Sequence, residues 1–140
     1  MDRSEIQALL DRHLEAFARR DAAALAAQHD LDGVFESPAH GVVRGRSAIE
    51  GVYRYWFNAF PDLRLTWEDA VIDGARAAVF WRFEGTTDGA FFGVEKPGIR
   101  VTMGGAADYR FAGGTIASVR HVFDFTGALI KAGVLKTRPE

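Results

Sequence analysis

Residues 71–86, VIDGARAAVFWRFEGT, decide how the rest of the chain is read. Asp73-Gly74 is a hairpin-turn signal between two runs whose apolar residues recur every second position. After it, Ala77, Val79, Trp81 and Phe83 fall on one face of a strand, and Ala78, Phe80, Arg82 and Glu84 fall on the other. The spacing predicts strands over 63–73 and 76–86. A glycine-rich loop, TTDGAFFGVEKPG (86–98), leads into a strand over 99–111. Ala112-Gly113-Gly114 turns the chain into a return strand over 115–125.

Upstream of Pro61 the apolar period is close to 3.6 rather than 2. Ser4 and Gln7 have capping-box spacing, and Ile6, Leu9, Leu10, Leu14 and Phe17 make one helical stripe. His13 lies at the edge of that stripe. Asp21 can cap a short alanine-rich helix to about Gln28. Ser47 and Glu50 repeat the capping spacing ahead of a third helix with an apolar face of Ile49, Val52, Tyr53, Trp56, Phe57 and Phe60. A short strand near 33–37 joins the second helix to the third. Helices first and a strand meander afterwards define an α+β fold, with helices on one face of an antiparallel sheet. A sheet bent around its helices leaves a pocket, with Tyr53, Trp56, Phe80 and Tyr109 as candidate lining residues.

The 140 residues, with no linker or repeat, fit one domain over 1–140. Cysteine is absent, which removes disulfides, thiolate metal sites and Cys nucleophiles. With 17 Lys and Arg against 19 Asp and Glu, the chain has no excess of positive charge for a nucleic-acid surface. No apolar run reaches membrane-helix length, and the opening MDRSEIQ lacks a signal-peptide core, so a cytoplasmic protein is expected. Phosphate-binding loops, a dinucleotide fingerprint, a serine-hydrolase elbow and a paired-histidine metal motif are all missing, and no cofactor or metal is expected.

Charged residues in otherwise apolar strands are the candidate chemistry. Asp124, in Val122-Phe123-Asp124-Phe125, is either a general acid/base with a carboxyl pushed up by apolar neighbours or the cap of the turn at Thr126-Gly127. Asp108 with Arg110, and Arg82 with Glu84, share strand faces. Regular alternation puts Ser118, Arg120, Val122 and Asp124 on one face and Val119, His121 and Phe123 on the other. A one-residue bulge would exchange Arg120 and His121 at the pocket, so both are candidates.

Three segments together resemble a known family: FPDLRLTWEDAVIDGARAAVFWRFEGTTDGAFFG (60–93), PGIRVTMGGAADYRF (97–111) and HVFDFTGALIKAGV (121–134). They are similar to the SnoaL-like polyketide cyclases of the NTF2-like (cystatin-like) superfamily, over about residues 4–135. The resemblance implies a cone-shaped α+β barrel of curved antiparallel sheet against three N-terminal helices, dimeric through the outer sheet face. It also implies a cofactor-independent aldol cyclase or isomerase acting on a small hydrophobic, polyketide-like or carbonyl-containing ligand. Asp124 occupies a position similar to the family's acid/base, with Asp108 as nearest polar partner and Arg82, Arg120 or Tyr53 to stabilise an enolate. Gly104 to Ala107 stand where the cyclases place polar partners. Two other readings share the fold: a binding protein without turnover, and an epoxide-hydrolase-like enzyme using Arg82, Asp124 and Glu84. The 86–98 loop is expected to gate the pocket.

Overall fold

A computed structural model describes residues 1–138. Helix α1 (Arg3–Ala18) starts two residues before the Ser4 box, because Asp2 accepts the Glu5 N–H at 2.8 Å and Glu5 accepts the Asp2 N–H at 3.3 Å. Its inward stripe is Ile6, Leu9, Leu10, His13 and Ala16, so His13 is fully buried rather than at the edge. Asp21 caps α2 (Ala22–Ala27) through the Ala24 N–H, as its position suggested.

Strand β1 (His29–Ser37) pairs with β2 (Gly41–Arg44), which the sequence reading did not resolve. Helix α3 (Arg46–Ala59) is capped by Gly45 at φ 92°, a conformation open to glycine, and Ser47 lies inside the helix without a capping bond. Glu50 pairs instead with Arg54 one turn on, at 2.7 Å. The 63–73 segment is two strands, β3 (Arg64–Trp67) and β4 (Val71–Asp73), both antiparallel to β5 (Arg76–Thr86). Then come β6 (Arg100–Ala112), β7 (Thr115–Phe123) and a fourth helix, α4 (Phe125–Lys131).

The seven strands form one sheet in the order β2-β1-β7-β6-β5-β3, with β4 also on β5. It stays open, and one pair departs from the antiparallel expectation: β1 runs parallel to β7, with Val34 opposite Ser118. On β5 and β6 the alternation holds. Ala77, Val79, Trp81 and Phe83 face Val101, Ala107, Tyr109 and Phe111 within the core, while Phe80, Arg82 and Arg110 face outward.

A bulge decides the face of β7. Arg110 pairs with Ser118 but Phe111 pairs with Ile116, so Ala117 is the extra residue. Ile116 is inward, and after the bulge Val119, His121 and Phe123 are inward too, leaving Arg120 and Val122 outside. Among the described residues no helix is long and apolar enough to cross a membrane.

Candidate functional site

Between the helices and the sheet lies a cavity of about 80 Å³. Phe17, Val52, Tyr53, Trp56 and Phe57 wall it from α1 and α3; Phe35, Ser37, Trp81, Phe83, Met103, His121 and Phe123 wall it from the sheet. Five of these carry polar atoms, and three are committed within the protein. The Tyr53 hydroxyl is 2.7 Å from His29 Nε2. Ser37 Oγ accepts the His40 N–H at 3.1 Å, and Trp56 Nε1–H donates to His40 Nε2 at 2.9 Å. Trp81 Nε1–H is buried without a partner. His121 lies beside it, ring centroids 5.9 Å apart.

Behind the wall is a cluster of neutral rings that the sequence reading missed. His13 Nδ1 is 2.6 Å from Gln28 Oε1, which identifies Nδ1 as the donor and leaves Nε2 a lone pair with no partner. Its ring meets His29 at 5.7 Å and Tyr109 at 5.9 Å. Burial pushes the His13 imidazole down to about 4, against a smaller upward pull from Gln28. Burial also lowers His29 to about 3, helped by the nearby His13, His121 and Arg46 charges. His121 falls to about 3 by burial and then by His13. Tyr53 and Tyr109 are pushed upward by burial. All five are therefore uncharged at neutral pH. The signal for His13 was its place three and four residues from Leu10 and Leu9 on an apolar stripe.

The other proposed site residues divide by face. Tyr53, Trp56 and His121 line the cavity, and Tyr109 is buried behind it. Phe80, half exposed, and Arg120 lie on the outer face, as does Arg82. Asp108 is there too, held 3.0 Å from Arg76 Nε with Arg110 and Arg120 near, and the Arg76 hydrogen bond keeps its carboxyl low. Glu84 is bonded to Arg100, not Arg82, so the arginine–carboxylate arrangement of an epoxide-hydrolase-like site is not formed.

Asp124 is not enclosed. It is exposed and is the N-cap of α4, its Oδ1 accepting the Gly127 N–H at 2.9 Å. A side chain at Gly127 would stand 2.2 Å from that carboxylate, so glycine there makes room for the cap. The apolar neighbours that suggested burial belong to a strand that ends at Phe123.

The 86–98 loop is tied to α3. Asp88 N–H donates to the Ala59 carbonyl, Phe92 N–H to the Tyr55 hydroxyl, and buried Phe91 packs on Trp56 and Phe60. Gly89 is there because a Cβ would lie 2.7 Å from the Asn58 carbonyl oxygen. Among the described residues no group of three or more His, Asp or Glu could hold a metal ion.

An open mixed sheet wrapped on helices around an apolar chamber is the fold of solved NTF2-like and ketosteroid-isomerase-like structures, and the chain belongs to the SnoaL-like polyketide cyclase family, whose model matches residues 7–130. Solved structures agree. TsrD from Streptomyces laurentii is 26% identical, with TM-score 0.82 over 96% of this chain and 99% of that one. IdmH from Streptomyces antibioticus, a candidate polyketide cyclase, is 26% identical, with TM-score 0.76 over 91% and 98%. AclR from Streptomyces galilaeus, a candidate hydroxylase, shares the fold at 24% identity, with TM-score 0.83 over 99% and 91%. No curated protein sequence matches the chain.

Proposed function

We propose that the protein is a cofactor-independent cyclase or isomerase acting on a small hydrophobic carbonyl compound bound in the inner cavity. The observation that carries this is His121, an uncharged imidazole in the wall of an apolar chamber, next to an indole donor. A neutral imidazole can accept a proton from the carbon beside a carbonyl. The imidazolium formed is then paired with the enolate it has made, in surroundings that exclude water. The enolate carbon attacks a second carbonyl of the same molecule and the proton returns to the alkoxide, which completes an aldol closure.

Family membership supports the reaction class. An engineered cavity of about 150 Å³ holds benzene, so the chamber of about 80 Å³ must widen for such a ligand. Trp56, which lines it, rests on Phe91 and Phe92 of the 86–98 loop, and that loop is the part we expect to shift.

The working form is a homodimer through the outer sheet face. Phe80, Ala106 and Val122 stand side by side across β5, β6 and β7, and Phe80 and Val122 are 50% and 53% exposed.

Heptane-2,6-dione, which closes to a cyclohexenone, tests the chemistry. The wild type should accelerate closure, His121→Phe should lose ~10²–10⁴-fold, and Asp124→Asn should keep its rate. A rate lost in Asp124→Asn and kept in His121→Phe would return the proton transfer to the aspartate. A binding role without turnover is favoured by one observation, that no Asp or Glu stands among the cavity residues. Saturable binding with no closure would establish it.

A further inference from the structure

Trp81 is placed by a glycine. Gly105 lies opposite it on β6, and a Cβ there would stand 2.4 Å from Cζ2 and 2.7 Å from Cε2 of the indole. The ring therefore leans across β6 along the inner surface, reaching Phe123 at 5.6 Å and His121 at 5.9 Å between ring centroids. Nε1 is bonded to Cε2 and so sits on the edge turned over Gly105. Its N–H is buried and unpaired, whereas the other indole in the cavity wall, Trp56, is bonded to His40. Buried donors are ordinarily satisfied, and one left open in a cavity wall is complementary to an acceptor brought by a ligand.

We infer that Trp81 Nε1–H and His121 together hold one oxygen of the ligand, and that Trp81 sets the specificity of the cavity for ligands carrying such an oxygen. The inference rests on the cavity being the ligand site, as proposed above. The indole donates to a carbonyl or enolate oxygen. The neutral imidazole donates to the same oxygen through its protonated nitrogen or accepts from an enol. The class selected is a compact aromatic or alicyclic ketone, against the hydrocarbon of equal size. Trp81 is a positioning residue here, because an indole N–H carries no proton to or from carbon.

The test is binding of acetophenone and ethylbenzene, followed by calorimetry and by the indole N–H resonances of ¹⁵N-labelled protein. In the wild type, acetophenone should bind about tenfold more tightly, and the Trp81 resonance, identified by its loss in Trp81→Phe, should shift with acetophenone only. In Trp81→Phe, which keeps an aromatic ring in the wall, the preference for acetophenone should shrink at least about threefold, to what His121 alone supplies, while the affinity for ethylbenzene is unchanged. An unchanged preference for acetophenone in a folded Trp81→Phe protein overturns the inference and leaves the cavity reading standing. Equal affinities in the wild type do the same. Failure of both compounds to bind overturns the cavity reading and this inference with it. Circular dichroism of Trp81→Phe establishes folding; if it is unfolded, the Trp81 resonance is assigned in the wild type by its through-space contacts to Phe123 and His121, and its shift decides alone.

Discussion

The two faces of β5, β6 and β7 carry opposite chemistry, although their residues alternate along the same strands. Inside, His121, His29, His13, Tyr53 and Tyr109 are titratable groups held neutral by burial. Outside, Asp108 meets Arg76, Arg110 and Arg120, and Glu84 meets Arg100, at the water surface. The inner groups take their character from desolvation and the outer ones from pairing, so the same change in conditions acts on the two faces differently.

Acid should break the inner face first, with the largest effect. His13, His29 and His121 bind protons in the folded protein only at about 4, 3 and 3, against about 6.5 in an unfolded chain. Below about pH 6.5 the unfolded state binds more protons, so stability falls with pH until the folded values are reached. Three such groups amount to about 4 kcal/mol per pH unit near pH 5. Urea midpoints from pH 7.5 to 5 should drop steeply, before the carboxylates titrate. A flat profile would mean that water or a counter-charge reaches these rings.

A single methyl group tests the packing on which the inner face depends. Gly105→Ala places a Cβ 2.4 Å from the Trp81 ring, and the rearrangement should cost about 1–3 kcal/mol. Near-ultraviolet circular dichroism should register the moved indole. Unaltered stability and spectrum would show that the ring has free space beyond the one described.

The smallest effect on monomer stability is expected outside. Phe80→Glu replaces a half-exposed ring and should change folding stability by less than about 0.5 kcal/mol. The same change should convert a dimer to a monomer in light scattering at micromolar concentration. A wild type that scatters as a monomer removes the interface. A variant that remains dimeric moves it elsewhere.

Most of the frame was legible in the residues. Strand β5 runs from Arg76 to Thr86, as alternation and the Asp73-Gly74 turn indicated, α1 and α3 lie where their apolar stripes put them, and α2 follows its Asp21 cap. The parallel pairing of β1 with β7 was not, since it joins segments that share no local signal. The site was legible only in part because alternation does not say which face is inward once a strand is bulged. Ala117 shifts β7 by one residue, and that exchange brings His121 inside and puts Arg120 in water. Asp124 was legible as one of two things, a buried carboxyl or the cap of the turn at Thr126-Gly127, and the cap is what the structure shows. The helix that follows was not legible, because Phe125-Thr126-Gly127 is a weak helix start by composition.

The pairing of Val34 with Ser118 also bears on how the molecule is made. A ribosome releases β1 long before β7 exists, so β1 has only the four-residue β2 to pair with while most of the chain is being synthesised. The aromatic residues destined for the chamber stay exposed over that interval, and the loop closed at the end is long. Nascent chains truncated before Thr115 should therefore be the ones that chaperones hold and proteases cut.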